Sequence, residues 1–152
     1  MKHLFVAVCS LVCLIIGCTS SSDNEYYSYA FLKNDFDQVA IVASVTVRDI
    51  AAVDSMGSRT AGAGYVRYRI RCRVIEPFKG EVKADETMVY YSVAERDYNP
   101  ANYRGDKVVF LNKGFDKRKK EPVLSELENS TRPATKEVLA TMKKIKAEAQ
   151  GK

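Results

Sequence analysis

Between residues 65 and 75 the chain changes character at every step. Tyr68, Ile70, Cys72 and Val74 alternate with Arg67, Arg69, Arg71 and Arg73. Two is the side-chain period of a β-strand, so the pattern predicts four apolar residues on one face and four guanidiniums on the other. The same period runs through Val39, Ile41, Ala43, Val45 and Val47, with Ser44, Thr46 and Arg48 opposite in the company of Val42. It predicts a half-buried first strand. Further strands are expected over residues 87–93, 107–111 and, in short form, 122–124. The stretches between them carry turn chemistry. Gly57, Gly62 and Gly64 lie in a flexible loop expected within 49–64. Pro77 and Gly80 are expected to end the arginine-rich strand. Pro100 sits in a polar loop over 94–102, residues 103–106 turn into the fourth strand, and Gly114 precedes Lys117-Arg118-Lys119-Lys120.

Two stretches switch to helical spacing. Tyr29, Leu32 and Phe36 stand three and four apart, which predicts a short helix whose aromatics pack on the fold or touch headgroups. From Thr131 to about Ala149, the residues Ala134, Val138, Met142, Ile145 and Ala149 line one side. Thr131 suits the cap and Pro133 the first turn. Lys136, Lys143 and Lys146 lie off the apolar stripe, with Lys144 at its edge. A stripe this narrow, without large aromatics, favours docking on the fold over burial in a membrane.

The chain begins differently. Met1-Lys2-His3 leads into residues 4–16, apolar apart from Ser10. That is the layout of a secretory signal, and the run is shorter than the ~20 residues a spanning helix needs. Its end, Ile15-Ile16-Gly17-Cys18, resembles the lipobox of bacterial lipoproteins. The resemblance implies a diacylglyceryl thioether on Cys18, cleavage after Gly17 and a further acyl chain on the new amino terminus. Two or more chains anchor stably where one does not. It also implies a cell-envelope location, and Thr19 after the cysteine fits the outer membrane of a double-membraned bacterium. The expected organisation is a leader over 1–17, a polar lipidated tether over 18–25, and one domain over 26–150.

Such processing changes what the composition allows. One of the 24 basic residues, Lys2, leaves with the leader, so the net charge falls from +5 to +4. That is a mild excess, compatible with anionic partners and decisive for none. His3, the single histidine, also leaves, along with Cys9 and Cys13. With Cys18 acylated, Cys72 is the one free thiol, which removes an internal disulfide framework. Serine–histidine and cysteine–histidine catalysis and histidine-based zinc sites lose their ligands. No phosphate-binding loop, dinucleotide fingerprint or nucleophile elbow is present. No cofactor or metal is expected. Cys72, on the apolar side of its strand, is expected in the core.

Two fragments resemble a known family. Val74-Ile75-Glu76-Pro77-Phe78-Lys79-Gly80 and Tyr103-Arg104-Gly105-Asp106-Lys107-Val108-Val109-Phe110-Leu111 follow an aromatic segment and a strand like residues 39–47. This order is similar to bacterial envelope proteins with a netrin-like fold, related to tissue inhibitors of metalloproteinases. The resemblance spans roughly residues 28–112. It implies a mainly β fold: a small OB-like (netrin-like) barrel with a short N-terminal helix and an amphipathic C-terminal helix. It does not carry protease inhibition, because those inhibitors use a free amino-terminal cysteine and disulfides, whereas Cys18 is expected to be acylated and Cys72 has no partner.

Three functions remain open at this point. The first is a non-catalytic, lipid-anchored envelope protein that binds a protein partner or an envelope polymer. The second is a binder of anionic ligands, such as lipopolysaccharide, acidic glycan or, less readily, nucleic acid, through Arg67, Arg69, Arg71 and Arg73. Tyr90 and Tyr91 are the aromatics that could serve as a stacking platform beside them. The third is a carboxylate-based enzyme drawing on Asp35, Asp37, Glu95 or Asp97, which requires two acids facing each other in a cleft.

Overall fold

A computed structural model describes residues 28–56 and 64–151. The expected leader over 1–17, Cys18 and the expected tether over 18–25, together with residues 26–27, 57–63 and 152, lie outside the described residues.

Helix α1 (Tyr29–Gln38) comes first, started by Ser28, whose side chain accepts from the Phe31 amide. Strands β1 (Ile41–Met56), β2 (Tyr65–Lys79) and β3 (Thr87–Glu95) follow, then a 3₁₀ turn over Pro100–Tyr103. Strands β4 (Gly105–Asp116), β5 (Glu121–Glu126) and the two-residue β6 (Arg132–Pro133) lead to helix α2 (Lys136–Gln150). β1 pairs with β2, β2 with β3, β4 with β5 and β4 with β1, all antiparallel. A parallel bridge between Tyr91 and Ser125 joins β3 to β5. The ring therefore runs β1-β2-β3-β5-β4 and back to β1, with β6 appended to β4. This is a mainly β, OB-like barrel with a short N-terminal helix and an amphipathic C-terminal helix.

Alternation sorts the side chains into two apolar layers. Ile41, Ala43 and Val45 of β1, Tyr68, Ile70, Cys72 and Val74 of β2, Met88 and Tyr90 of β3, and Val109 and Leu111 of β4 fill the barrel. The second layer lies outside the barrel wall. Val42, Val108 and Phe110 point away from the interior and are covered by Leu32 and Phe36 of α1 and by Val138, Met142 and Ile145 of α2, with Phe78 at the margin. Apolar residues on both faces of β1 and β4 thus recruit the helices. Cys72 is fully buried and its thiol bonds the Met88 carbonyl. Burial pushes that thiol up to about 12, which leaves it protonated and inert.

Several elements differ from their expected bounds. β1 continues past Val47, where the first strand was expected to end, to Met56, bulging between Val47 and Asp49 and again between Ala52 and Asp54, while the loop expected within 49–64 lies in part outside the described residues. Each bulge shifts the alternation and hides the strand period. β2 passes through Pro77, which pairs with Ala43, and ends only at Gly80. Gly80 has φ +89°, and a Cβ there would stand 2.6 Å from the Ala40 carbonyl oxygen and 2.9 Å from Ile41 Cγ1. α2 begins five residues later than Thr131: Thr135 is its cap, accepting from the Val138 amide, while Arg132 and Pro133 belong to β6. Of the expected apolar stripe on α2, Ala149 is exposed.

Candidate anion-binding face

On β2 the sorting of side chains follows the alternation closely. Arg69, Arg71 and Arg73 stand exposed on the outer face, Arg67 is half-buried, and the four intervening apolar residues are buried. The four guanidiniums are not equivalent. Arg73 is tied to the exposed carboxylate of Asp85. Arg67 reaches Asp116 at 3.3 Å and lies 4.2 Å from the centre of the Tyr91 ring. Arg69 stands opposite Ala51 on β1 and Tyr91 on β3, and Arg71 opposite Asp49 and Val89. Among the described residues, neither Arg69 nor Arg71 has a carboxylate at ion-pairing distance. The stripe is closed at its ends and open in the middle.

A second basic element arrives from far along the chain. The β4–β5 hairpin turns at Asp116, whose Oδ1 accepts from the Arg118 amide at 2.9 Å and the Lys119 amide at 3.2 Å. That is a side chain standing in for a backbone turn, and Lys120 closes it in the left-handed region at φ +57°. The other oxygen, Oδ2, takes Arg67. The Lys119 and Arg118 amides, with the Arg67 guanidinium, hold the Asp116 carboxyl below the usual carboxylate range. Arg118 crosses to Asp54 of β1 at 3.4 Å, and Lys119 donates to the Tyr91 hydroxyl at 3.3 Å. The tip Lys117-Arg118-Lys119-Lys120 is thereby fastened beside the Arg67 end of the stripe. A groove of about 450 Å³ runs between them, lined by Asp54, Arg67, Phe115, Asp116, Arg118 and Val123 among others.

This convergence was not legible in the sequence. Residues 117–120 read as a solvated hairpin tip or, less readily, a contact for anionic headgroups, and no local pattern links them to β2. The stacking expectation also needs correcting. Tyr90 is fully buried inside the barrel, and Tyr91 is 8% exposed, flanked by Arg67 and Lys119. Neither offers an open ring for a base. The exposed apolar residues near the stripe are Tyr65 and Ile75, at its two ends on the outer row of β2, with Val93 and Phe115 beside it.

The four carboxylates considered for catalysis do not converge. Asp35 is buried against Arg132 at 3.4 Å. Asp37, on the same helix, faces out to Lys33, while Glu95 and Asp97 are exposed near the end of β3. Asp54 and Asp116 do share the groove, each engaged by an arginine. Asp116 is shifted away from the raised pKa that a general acid requires. Among the described residues no group of three or more His, Cys, Asp or Glu side chains is placed to hold a metal ion. No helix among them is long and apolar enough to cross a membrane. No protein-family model matches the chain, and no curated protein matches it either.

Proposed function

We propose that the chain is a non-catalytic binding module of the cell envelope, lipid-anchored through Cys18, that takes an anionic envelope polymer on the β2–β3 face. The observation that carries this reading is the open centre of the stripe. Arg69 and Arg71 stand exposed with no carboxylate at ion-pairing distance, two positions apart on a rigid strand, about 6.5–7 Å along the backbone. Like charges held at that spacing repel, and a chain of phosphates or carboxylates offsets them. Lys117, Arg118, Lys119 and Lys120 lengthen the positive track. With Tyr90 and Tyr91 buried, the favoured ligand is a phosphorylated or acidic glycan, lipopolysaccharide included; single-stranded nucleic acid would have to stack on Tyr65 or Phe115, the exposed rings at the Arg67 end of the stripe. No cofactor enters this function. The location is the outer membrane in a double-membraned host.

The test is salt-dependent binding by the full-length lipidated protein in detergent, with lipopolysaccharide, a uronate glycan and single-stranded DNA as probes. Binding to the first two is expected to weaken steeply with salt, and the Arg69→Ser, Arg71→Ser double variant to lose most of it. Unchanged binding in the variant would sink the reading. Phe115 and Val93, exposed beside the stripe, favour a second reading: a protein partner with an acidic rim. That reading calls for a partner recovered from solubilised envelopes whose capture depends on Phe115 and survives high salt.

A further inference from the structure

A different groove, on the helical side of the barrel, has cations of its own. It holds about 380 Å³ between the ends of α1, β2 and α2, and its walls include Phe36, Pro77, Phe78 and Val82 with Lys79 and Lys146. We propose that it seats the phosphate of an anionic phospholipid headgroup and so holds this side of the barrel against the membrane. The proposal rests on the lipid anchor at Cys18.

The two ammonium groups are fastened by neutral partners. Lys79 Nζ donates to the carbonyls of Phe36 at 2.6 Å and Asp37 at 3.3 Å, satisfying the end of α1, and lies 5.0 Å from the centre of the Phe36 ring. Lys146 Nζ donates to the Pro77 carbonyl at 2.8 Å. An ammonium carries three donors, so one on Lys79 and two on Lys146 are left over by these bonds. Among the described residues neither lysine has a carboxylate at ion-pairing distance. The neighbouring acids are engaged elsewhere: Asp37 by Lys33, Glu76 by Lys143, and Glu148 by the Tyr29 hydroxyl. Among the described residues two positive charges thus line one groove with no carboxylate at ion-pairing distance, and an oxyanion between them satisfies both the charge and the spare donors.

The surroundings favour a lipid phosphate over a free one. The walls are mixed: Pro77, Val82 and Ala149 can meet the glycerol and first methylenes below a headgroup, while Gln150 and the lysines face its polar part. On the same helix, Tyr29 and Phe31 are 38% and 42% exposed, and Lys144 lies 5.0 Å from the centre of the Tyr29 ring. Aromatic rings with lysines beside them are the residue types that settle at a headgroup interface. Tyr29 follows Cys18 by eleven residues. At about 3.3–3.6 Å per extended residue, a lipidated Cys18 keeps α1 within roughly 40 Å of the bilayer. The end of β2 meets the helices at Glu76 and Pro77, whereas Arg69 and Arg71 stand exposed farther along the strand, so docking through α1 and α2 leaves them open to the polymer.

The experiment uses the full-length protein in vesicles of phosphatidylcholine, with or without phosphatidylglycerol, and in detergent with inorganic phosphate at matched ionic strength. The mass of the Cys18 peptide establishes the anchor separately. Amine-reactive labelling of Lys79 and Lys146 is read against Lys113 and Lys120 on the same molecule. The expected result is a several-fold drop in labelling at Lys79 and Lys146 only in phosphatidylglycerol vesicles, reversed by high salt. Equal labelling in both vesicle types on a lipidated protein overturns the groove and leaves the anchor standing. Protection by inorganic phosphate alone overturns the assignment to a headgroup. An unmodified Cys18 overturns the anchor whatever the lysines show.

Discussion

The barrel wall has two outer faces with opposite fates. At one end of β1 and β4 the outward residues Val42, Val108 and Phe110 are covered completely by two helices. On β2 the outward residues are Arg67, Arg69, Arg71 and Arg73, and no helix covers them. The inward faces of the same strands are alike, apolar and buried. The difference therefore lies in alternate residues alone: an apolar outer row is removed from water by recruiting α1 and α2, and a charged outer row is left to find its counter-charges. The covered side even encloses a charge, because Arg132 and Asp35 pair at 8% and 12% side-chain exposure between β6 and α1. The open side keeps Arg69 and Arg71 in water.

The largest test of this contrast is to break the enclosed pair. Arg132→Met leaves Asp35 buried without its partner, and about 3–5 kcal/mol of stability is expected to go. Burial already raises the Asp35 carboxyl and Arg132 works against that rise, so the variant raises it further. The sign follows from linkage. A carboxyl whose folded pKa lies above its unfolded value destabilises the fold fully above the folded pKa, and acidification through that pKa removes the cost. Urea unfolding should therefore show Arg132→Met regaining stability relative to the parent as the pH falls from neutral through the raised folded pKa. Adding Asp35→Asn should recover much of the loss and abolish the pH effect. A variant with parental stability at neutral pH would mean that the pair is not enclosed.

Next in size is the apolar cover itself. Leu32 of α1 is fully buried against the outside of the barrel. Leu32→Ala is expected to cost about 2–5 kcal/mol, as much as a residue inside the barrel. Ile70→Ala on the interior face supplies the standard. If Leu32→Ala costs far less than Ile70→Ala in the same denaturant titration, the helices are accessories and the two outer faces differ less than the packing indicates.

How much of this could be read beforehand depends on the element. The four-by-four alternation on β2 predicted both its faces, because a strand with one wet side writes its period directly into the sequence. β1 was harder. Val42 sits out of phase with Ile41 and Ala43, which is the mark of a strand covered on both sides, and the bulges after Val47 and Ala52 interrupted the period so that the first strand read as ending at Val47. Thr131 looked like a helix cap because a threonine stands shortly before an apolar stripe; the pairing of Arg132 with Val108 in β6, a long-range event, moved the start to Thr135. The candidate site divides the same way. Arg69 and Arg71 were legible from local spacing, whereas the hairpin beside them depends on contacts from Asp116 to Arg67 and from Arg118 to Asp54, which no local pattern encodes.

On the open side the expected stability effects are small and the binding effects are large. Arg69→Ser with Arg71→Ser should stay within about 0.5 kcal/mol of the parent, since exposed residues without partners contribute little to folding. Any gain should come from relieved repulsion. Loss of polymer binding in a variant of parental stability assigns the middle of the stripe to function. A marked loss of stability would show instead that the guanidiniums hold the face together, and the contrast between the two outer faces would narrow.

The finest test concerns Asp116, which acts on both the hairpin and the stripe. Its Oδ1 forms the turn through the Arg118 and Lys119 amides, and its Oδ2 neutralises Arg67. Asp116→Asn keeps an oxygen for the turn and removes the charge. The hairpin is therefore expected to persist, Arg67 to join Arg69 and Arg71 as an open guanidinium, and anionic polymer to bind more tightly with a steeper salt dependence. Acid should mimic the change in the parent. The folded carboxyl lies below its unfolded value, so its contribution is present above the unfolded value and lost only as pH falls through the lowered folded one. Binding by the parent should approach that of Asp116→Asn only in that acidic window. If Asp116→Asn binds more weakly than the parent at neutral pH, the tip is placed by the ion pair rather than by the turn, and the hairpin belongs to the binding face only while Arg67 holds it there.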